Sequence, residues 1–167
     1  MKSTPEAKKQ QLIADLTAAR AEVIGAALAL TTDAQDVPFL GIWSAHDIVA
    51  HLICWDYANL AANDAILAGR LPAFYAAYDP DWRTYNAGLV AQHKRPTLAE
   101  TLAVAQASHQ ALLALLAALP AEEISRDYGV RSSRGRRVTI AMLLAVEARD
   151  ERRHAEQIRS FVAFRKE

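Results

Sequence analysis

The stretch Val138–Phe164, VTIAMLLAVEARDERRHAEQIRSFVAF, concentrates the side chains most able to do chemistry. Glu147, Asp150, Glu151 and His154 follow one another at helical spacing. At ~100° per residue they fall on or beside one face of a helix. That face is apolar on either side, with Ile140, Leu143 and Leu144 before the acids and Ile158, Phe161 and Val162 after them. Acids and a histidine set into an apolar stripe must be paired, hydrated or bound to a metal.

Asp150 and His154 are four residues apart, so their side chains point from neighbouring turns toward one place. His51, on an earlier helical stretch, is the candidate third member. Two histidines and a carboxylate suit one divalent metal, Zn, Ni, Fe or Mn, with coordination positions left open. The metal-free alternative is a buried hydrogen-bonded His–acid network. Glu151-Arg-Arg-His154 also has the Glu-x-x-His spacing of di-metal bundles, but those need a second copy and none is present. Crowding of Glu147, Asp150 and Glu151 raises the pKa of at least one carboxyl, which makes Glu147 and Glu151 candidate catalytic acids or bases acting on a water beside His51 or His154. Arg149, Arg152 and Arg153 lie largely on other faces. Part of the charge balance must therefore come from another helix.

The remaining chemistry is less focused. Residues 126–137 carry Arg126, Arg131, Arg134, Arg136 and Arg137, a cluster able to meet phosphate or carboxylate. No nucleic-acid-binding motif accompanies it, so nucleic acid is the secondary partner and a small molecule the primary one. Trp55, Trp82 and Tyr85 are candidate walls of a substrate pocket. Cys54 reads as a packed small residue without a recognisable base, and His93 and His109 carry no spacing signal.

Helices must position these groups. Ala, Leu, Glu and Arg dominate, and glycine and proline number six each, so the chain reads as all-α. Thr4-Pro5-Glu6 opens a helix in which Leu12, Leu16, Ala19, Val23, Ala26 and Leu30 recur. Residues 32–41 form a loop. Ser44-Ala-His-Asp47 is a capping box opening a helix to about Ala68, with Ile48, His51, Leu52, Trp55, Asn59, Ala62 and Ile66 inward. His46 is expected on its opposite side, exposed or near a partner chain. Residues 69–96 form a flap, in which Asp79-Pro80 caps a short helix ending near His93. Thr97-Leu-Ala-Glu100 is a second capping box, opening a helix to about Leu119 with Leu98, Leu102, Ala105, Leu112, Leu116 and Leu119 expected in the core. Residues 121–137 are expected to be loop. The sum is one domain over residues 1–167, a four-helix bundle with a short extra helix in its long second connection.

Lys plus Arg equals Asp plus Glu at 19 each, so no global field recruits polyanions. One cysteine excludes an intrachain disulfide and fits a reducing cytoplasm. The N-terminus lacks a signal-peptide apolar core, and no run approaches the ~20 apolar residues of a membrane span.

Trp43-Ser-Ala-His-Asp-Ile-Val-Ala-His51-Leu followed by Trp55-Asp56 resembles the second-helix signature of the DinB-like superfamily. Asp150-Glu-Arg-Arg-His154-Ala-Glu-Gln157-Ile158 resembles its closing helix. Tyr78–Asn86, Pro96-Thr-Leu-Ala-Glu-Thr-Leu and Ser108 resemble the ClbS/DfsB branch. The resemblance covers most of residues 10–163. It implies a bundle that is often a homodimer. It also implies a divalent ion held by one histidine of the second helix and two of the last, here His51, Asp150 and His154. Asp150 replaces a histidine of that pattern. Some members are thiol-dependent transferases or isomerases. The branch's namesake hydrolyses a cyclopropane warhead to protect its producer, which implies hydrolysis of a small electrophile here by analogy.

Overall fold

The computed structural model describes residues 3–165. The four long helices are α1 (Pro5–Leu28), α2 (Ala45–Leu67), α5 (Leu98–Ala118) and α7 (Ile140–Phe164). Three short ones, α3 (Phe74–Tyr78), α4 (Trp82–His93) and α6 (Ala121–Ser125), lie in the connections. α1 packs chiefly on α7 and α2 on α5, with α2 and α7 closing the bundle.

The helix starts are set by side-chain caps. Thr4 accepts from the Ala7 amide, Ser44 and Asp47 cap each other reciprocally, as do Thr97 and Glu100, and Thr139 accepts from Met142. Such a cap stabilises a helix by ~1 kcal/mol and fixes where it begins, and so fixes which face turns inward. At the other end of α5, the buried Lys9 ammonium donates to the carbonyls of Ala117 (2.7 Å) and Leu119 (2.6 Å).

The core is apolar at both ends and polar at the waist. Leu16, Ile66, Leu112, Leu116, Ile140 and Leu144 fill one end. Val23, Ile48, Leu52, Ala155 and Ile158 fill the other. Between them lie Arg20, Asp56, Ser108, His109, Glu147 and Glu151, all buried.

Four local expectations are corrected. α4 is capped by Asp81, not Asp79: Phe74–Tyr78 forms a helical turn of its own and ends at Asp79, and the Asp81 carboxylate accepts from the Arg83 and Thr84 amides. Residues 121–125 are helical because Ala121 and Ile124 are buried there. α7 begins at Ile140, because Val138 is instead held by its amide donating to the Val130 carbonyl, 3.0 Å. His46 is buried, not exposed. The loop before α2 folds back over it, and its ring meets Asp36 Oδ1 at 2.9 Å and Thr101 Oγ1 at 2.7 Å.

Candidate functional site

α2 and α7 run antiparallel along a polar seam. His51 lies opposite His154, and Asn59 opposite Glu147. Two clusters occupy this seam.

The outer cluster is His51, Asp150 and His154. Asp150 Oδ2 lies 3.3 Å from His154 Nε2 and 3.7 Å from His51 Nε2. The two rings stand nearly perpendicular with centroids 5.5 Å apart. His154 Nδ1 lies 2.8 Å from Gln157 Oε1, an acceptor, so Nδ1 carries a proton and in the neutral ring Nε2 is the free nitrogen turned toward Asp150. A bare nitrogen facing a carboxylate oxygen calls for a cation between them, either a proton or a metal. Donors ~2.0–2.2 Å from a tetrahedral ion sit roughly 3.4 Å from one another, and the observed spacings match. The donor set therefore fits a divalent ion. Although burial works against ionisation, the neighbouring His154 and His51 rings hold the Asp150 carboxyl well below the usual range. Burial pushes the His51 imidazole below its ordinary value, with Asp150 opposing. Both shifts favour the ligand forms, carboxylate and neutral imidazole.

The inner cluster is closed. Arg20 reaches from α1 and donates through Nη1 and Nη2 to Asp56 at 3.0 and 2.9 Å. Through Nε and Nη2 it donates to Glu151 at 3.0 and 2.7 Å, and through Nη1 to the Ala105 carbonyl. Ser108 Oγ donates to Asp56 Oδ2 at 2.6 Å. Asp56, His109 and Glu151 have metal-like spacing, but a guanidinium already occupies the place of the cation. Burial pushes the Glu151 carboxyl up, opposed by Arg20. Glu147 has no such partner. It accepts only from Asn59 Nδ2, at 3.3 Å, and burial followed by the Glu151 and Asp56 charges drives its pKa well above the ordinary value.

The two candidate catalytic acids, Glu147 and Glu151, thus lie behind the outer cluster, and Glu151 is sealed by Arg20. The balancing charge expected from another helix is Arg20. Nothing in a propensity pattern names it. The available signal is an arginine at the buried phase of α1, one position after Ala19. Asp56, Ser108 and His109 sit at equivalent buried phases of α2 and α5.

Aromatic rings roof the outer cluster. Trp55 meets Phe74 at 5.2 Å, Tyr78 at 5.4 Å and Tyr85 at 6.3 Å, and its other edge meets His51 at 6.3 Å. Burial, then the Asp150 charge, raises the Tyr78 phenol. Trp82 is half exposed, with Arg83 stacked 4.5 Å over its ring, and it makes no ring contact with Trp55. A groove of about 710 Å³ runs along the outer side of α7 from Arg153 and Gln157 to Phe164, walled by Phe39 and Leu40. The Cys54 thiol is buried, donates to the Ala50 carbonyl and is pushed up to about 12 by burial, which makes it inert as a nucleophile.

The sequence profile of the DinB superfamily matches residues 14–158. The chain belongs to the DinB superfamily. Among solved structures it is similar to the colibactin self-resistance protein ClbS in complex with a dsDNA, with a TM-score of 0.73 and 17% identity over 91% of this chain and 93% of that one. At that identity the likeness establishes a ClbS-like all-α fold. Curated proteins offer no match.

Proposed function

We propose that this ClbS-like DinB protein hydrolyses a small electrophilic molecule at the His51/Asp150/His154 cluster, as a detoxifying or self-protecting enzyme. The observation that carries the reading is the convergence of two imidazole nitrogens on one carboxylate beneath an aromatic roof. His51, Asp150 and His154 would hold a divalent ion. When bound, it supplies a water of lowered pKa as nucleophile. Gln157 keeps the His154 proton on Nδ1. Trp55, Phe74 and Tyr85 exclude bulk water and offer flat apolar surfaces to a small electrophile. Tyr78, whose phenol is raised by burial and by the Asp150 charge, stands in the same aromatic roof. Glu151, bound by Arg20, ties α7 to α1 behind the site.

The test is turnover on a panel of epoxides and activated cyclopropanes, comparing wild type with Asp150→Asn. The account expects a loss on the order of 100-fold or more at an unchanged melting temperature. Equal turnover in the two proteins would remove Asp150 from the chemistry.

A second reading, binding of duplex DNA, is favoured by one observation, the similarity to a protein whose structure was solved with dsDNA. The two readings are compatible, since a protein that destroys a DNA-directed electrophile gains by residing on DNA.

A further inference from the structure

We infer that the hairpin of residues 130–138 is a rigid phosphate clamp that grips the backbone of duplex nucleic acid without reading its sequence. This surface rests on the second reading above and gives it a location. The hairpin is anchored at its base, where Val130 and Val138 are buried and joined by a backbone hydrogen bond of 3.0 Å. Its tip is closed by the Ser132 amide donating to the Arg136 carbonyl and the Gly135 amide to the Ser132 carbonyl, 2.9 Å each. Gly135 takes φ +71° there, a conformation that favours glycine. Ser133 Oγ donates to Asp79 Oδ2 at 2.6 Å, tying the tip to the flap.

The arginines divide into two groups. Arg126 pairs with Glu123, and Arg131 pairs with Asp127 at 2.8 Å. Arg134, Arg136 and Arg137 are exposed and make no ion pair among the described residues. Residues 126–137 contain a single acid, Asp127, and Arg131 already holds its carboxyl down to about 2, with help from Arg137. Arg70 is exposed beside them, since Gly69 abuts the Tyr128 carbonyl. A chain with no net charge therefore displays a local surplus of positive charge.

Three arginines within four consecutive residues have their Cα atoms within ~10 Å of one another along the chain, and their exposed, flexible side chains can reach neighbouring phosphates on one strand. A pre-formed turn lets them engage without a large ordering cost. Phosphate contacts of this kind position a protein on the duplex and carry no sequence preference.

The experiment is fluorescence anisotropy of a labelled mixed-sequence DNA duplex between about 50 and about 200 mM salt. Wild type is compared with Arg134→Gln/Arg136→Gln/Arg137→Gln and with a control of equal charge loss, Lys8→Gln/Arg95→Gln/Arg149→Gln. The clamp predicts that the hairpin variant loses on the order of tenfold or more in affinity and about 3 in the salt slope, while the control stays near wild type. Wild-type binding with equal effects of the two variants, or with none in the hairpin variant, overturns the clamp and leaves the DNA reading standing. Absence of wild-type binding at the lowest salt overturns both. Matching melting temperatures establish that the variants are folded.

Discussion

The inner and outer clusters on the α2–α7 seam are built from the same materials and end differently. Each brings acids and histidine within ligand distance of one another. In the inner one, Arg20 fills the cation position and donates to both carboxylates. In the outer one, Asp150 is 44% exposed at its side chain and faces two imidazoles with no guanidinium between them. Burial without an opening makes the first cluster architecture. Partial access under an aromatic roof leaves the second open to a cation or a small molecule. Carboxylate and histidine content alone does not separate the two; what occupies the cation position does.

The largest expected effect comes from emptying the inner cluster. Arg20→Met leaves Asp56 and Glu151 as uncompensated buried charges, a loss of about 3–5 kcal/mol. For a chain of this size that lowers the melting temperature by roughly 10 °C, measurable by circular dichroism. A smaller shift would mean that Arg20 is not the charge that closes the core. Next comes the support of the outer cluster. Gln157→Ala removes the acceptor that fixes the His154 tautomer and weakens divalent-ion binding by about 10–100-fold in calorimetry, with the fold retained. Unchanged affinity would place the proton by some other means.

The smallest effect concerns Glu147, which lies between the clusters in character. Its folded-state pKa is raised by burial and by Glu151 and Asp56, so the folded protein binds this proton more tightly than the unfolded chain. That contribution to stability is complete below the ordinary glutamate pKa and is lost as pH rises from there through the folded value. Glu147→Gln removes this loss. Its melting temperature should exceed wild type at neutral and alkaline pH, and the gap should close toward pH ~4. A gap that widens in acid would reverse the assignment.

Much of this was legible in the sequence, for local reasons. The Ser44–Asp47 and Thr97–Glu100 boxes announce two helix starts, because a cap is written in four adjacent residues. The outer cluster was legible because Asp150 and His154 share one helix and His51 interrupts an apolar stripe. Arg20 was not, because its partners lie 36 and 131 residues away and only packing brings them together. His46 failed for the same reason. Helix phase put it on the outer side of α2, while the Asp36 loop and Thr101 cover that side. The Asp79/Asp81 shift arose because an aromatic turn at Phe74–Tyr78 has no propensity signature of its own.

The most direct test of the contrast is the metal content of untagged protein, measured by plasma mass spectrometry after reconstitution, for wild type, His154→Ala and His109→Ala. The account predicts about one equivalent of a divalent metal in wild type and in His109→Ala, and its loss in His154→Ala. Metal that persists in His154→Ala but leaves with His109→Ala, or no metal in any of the three, would contradict the assignment of the open cluster as the reactive one.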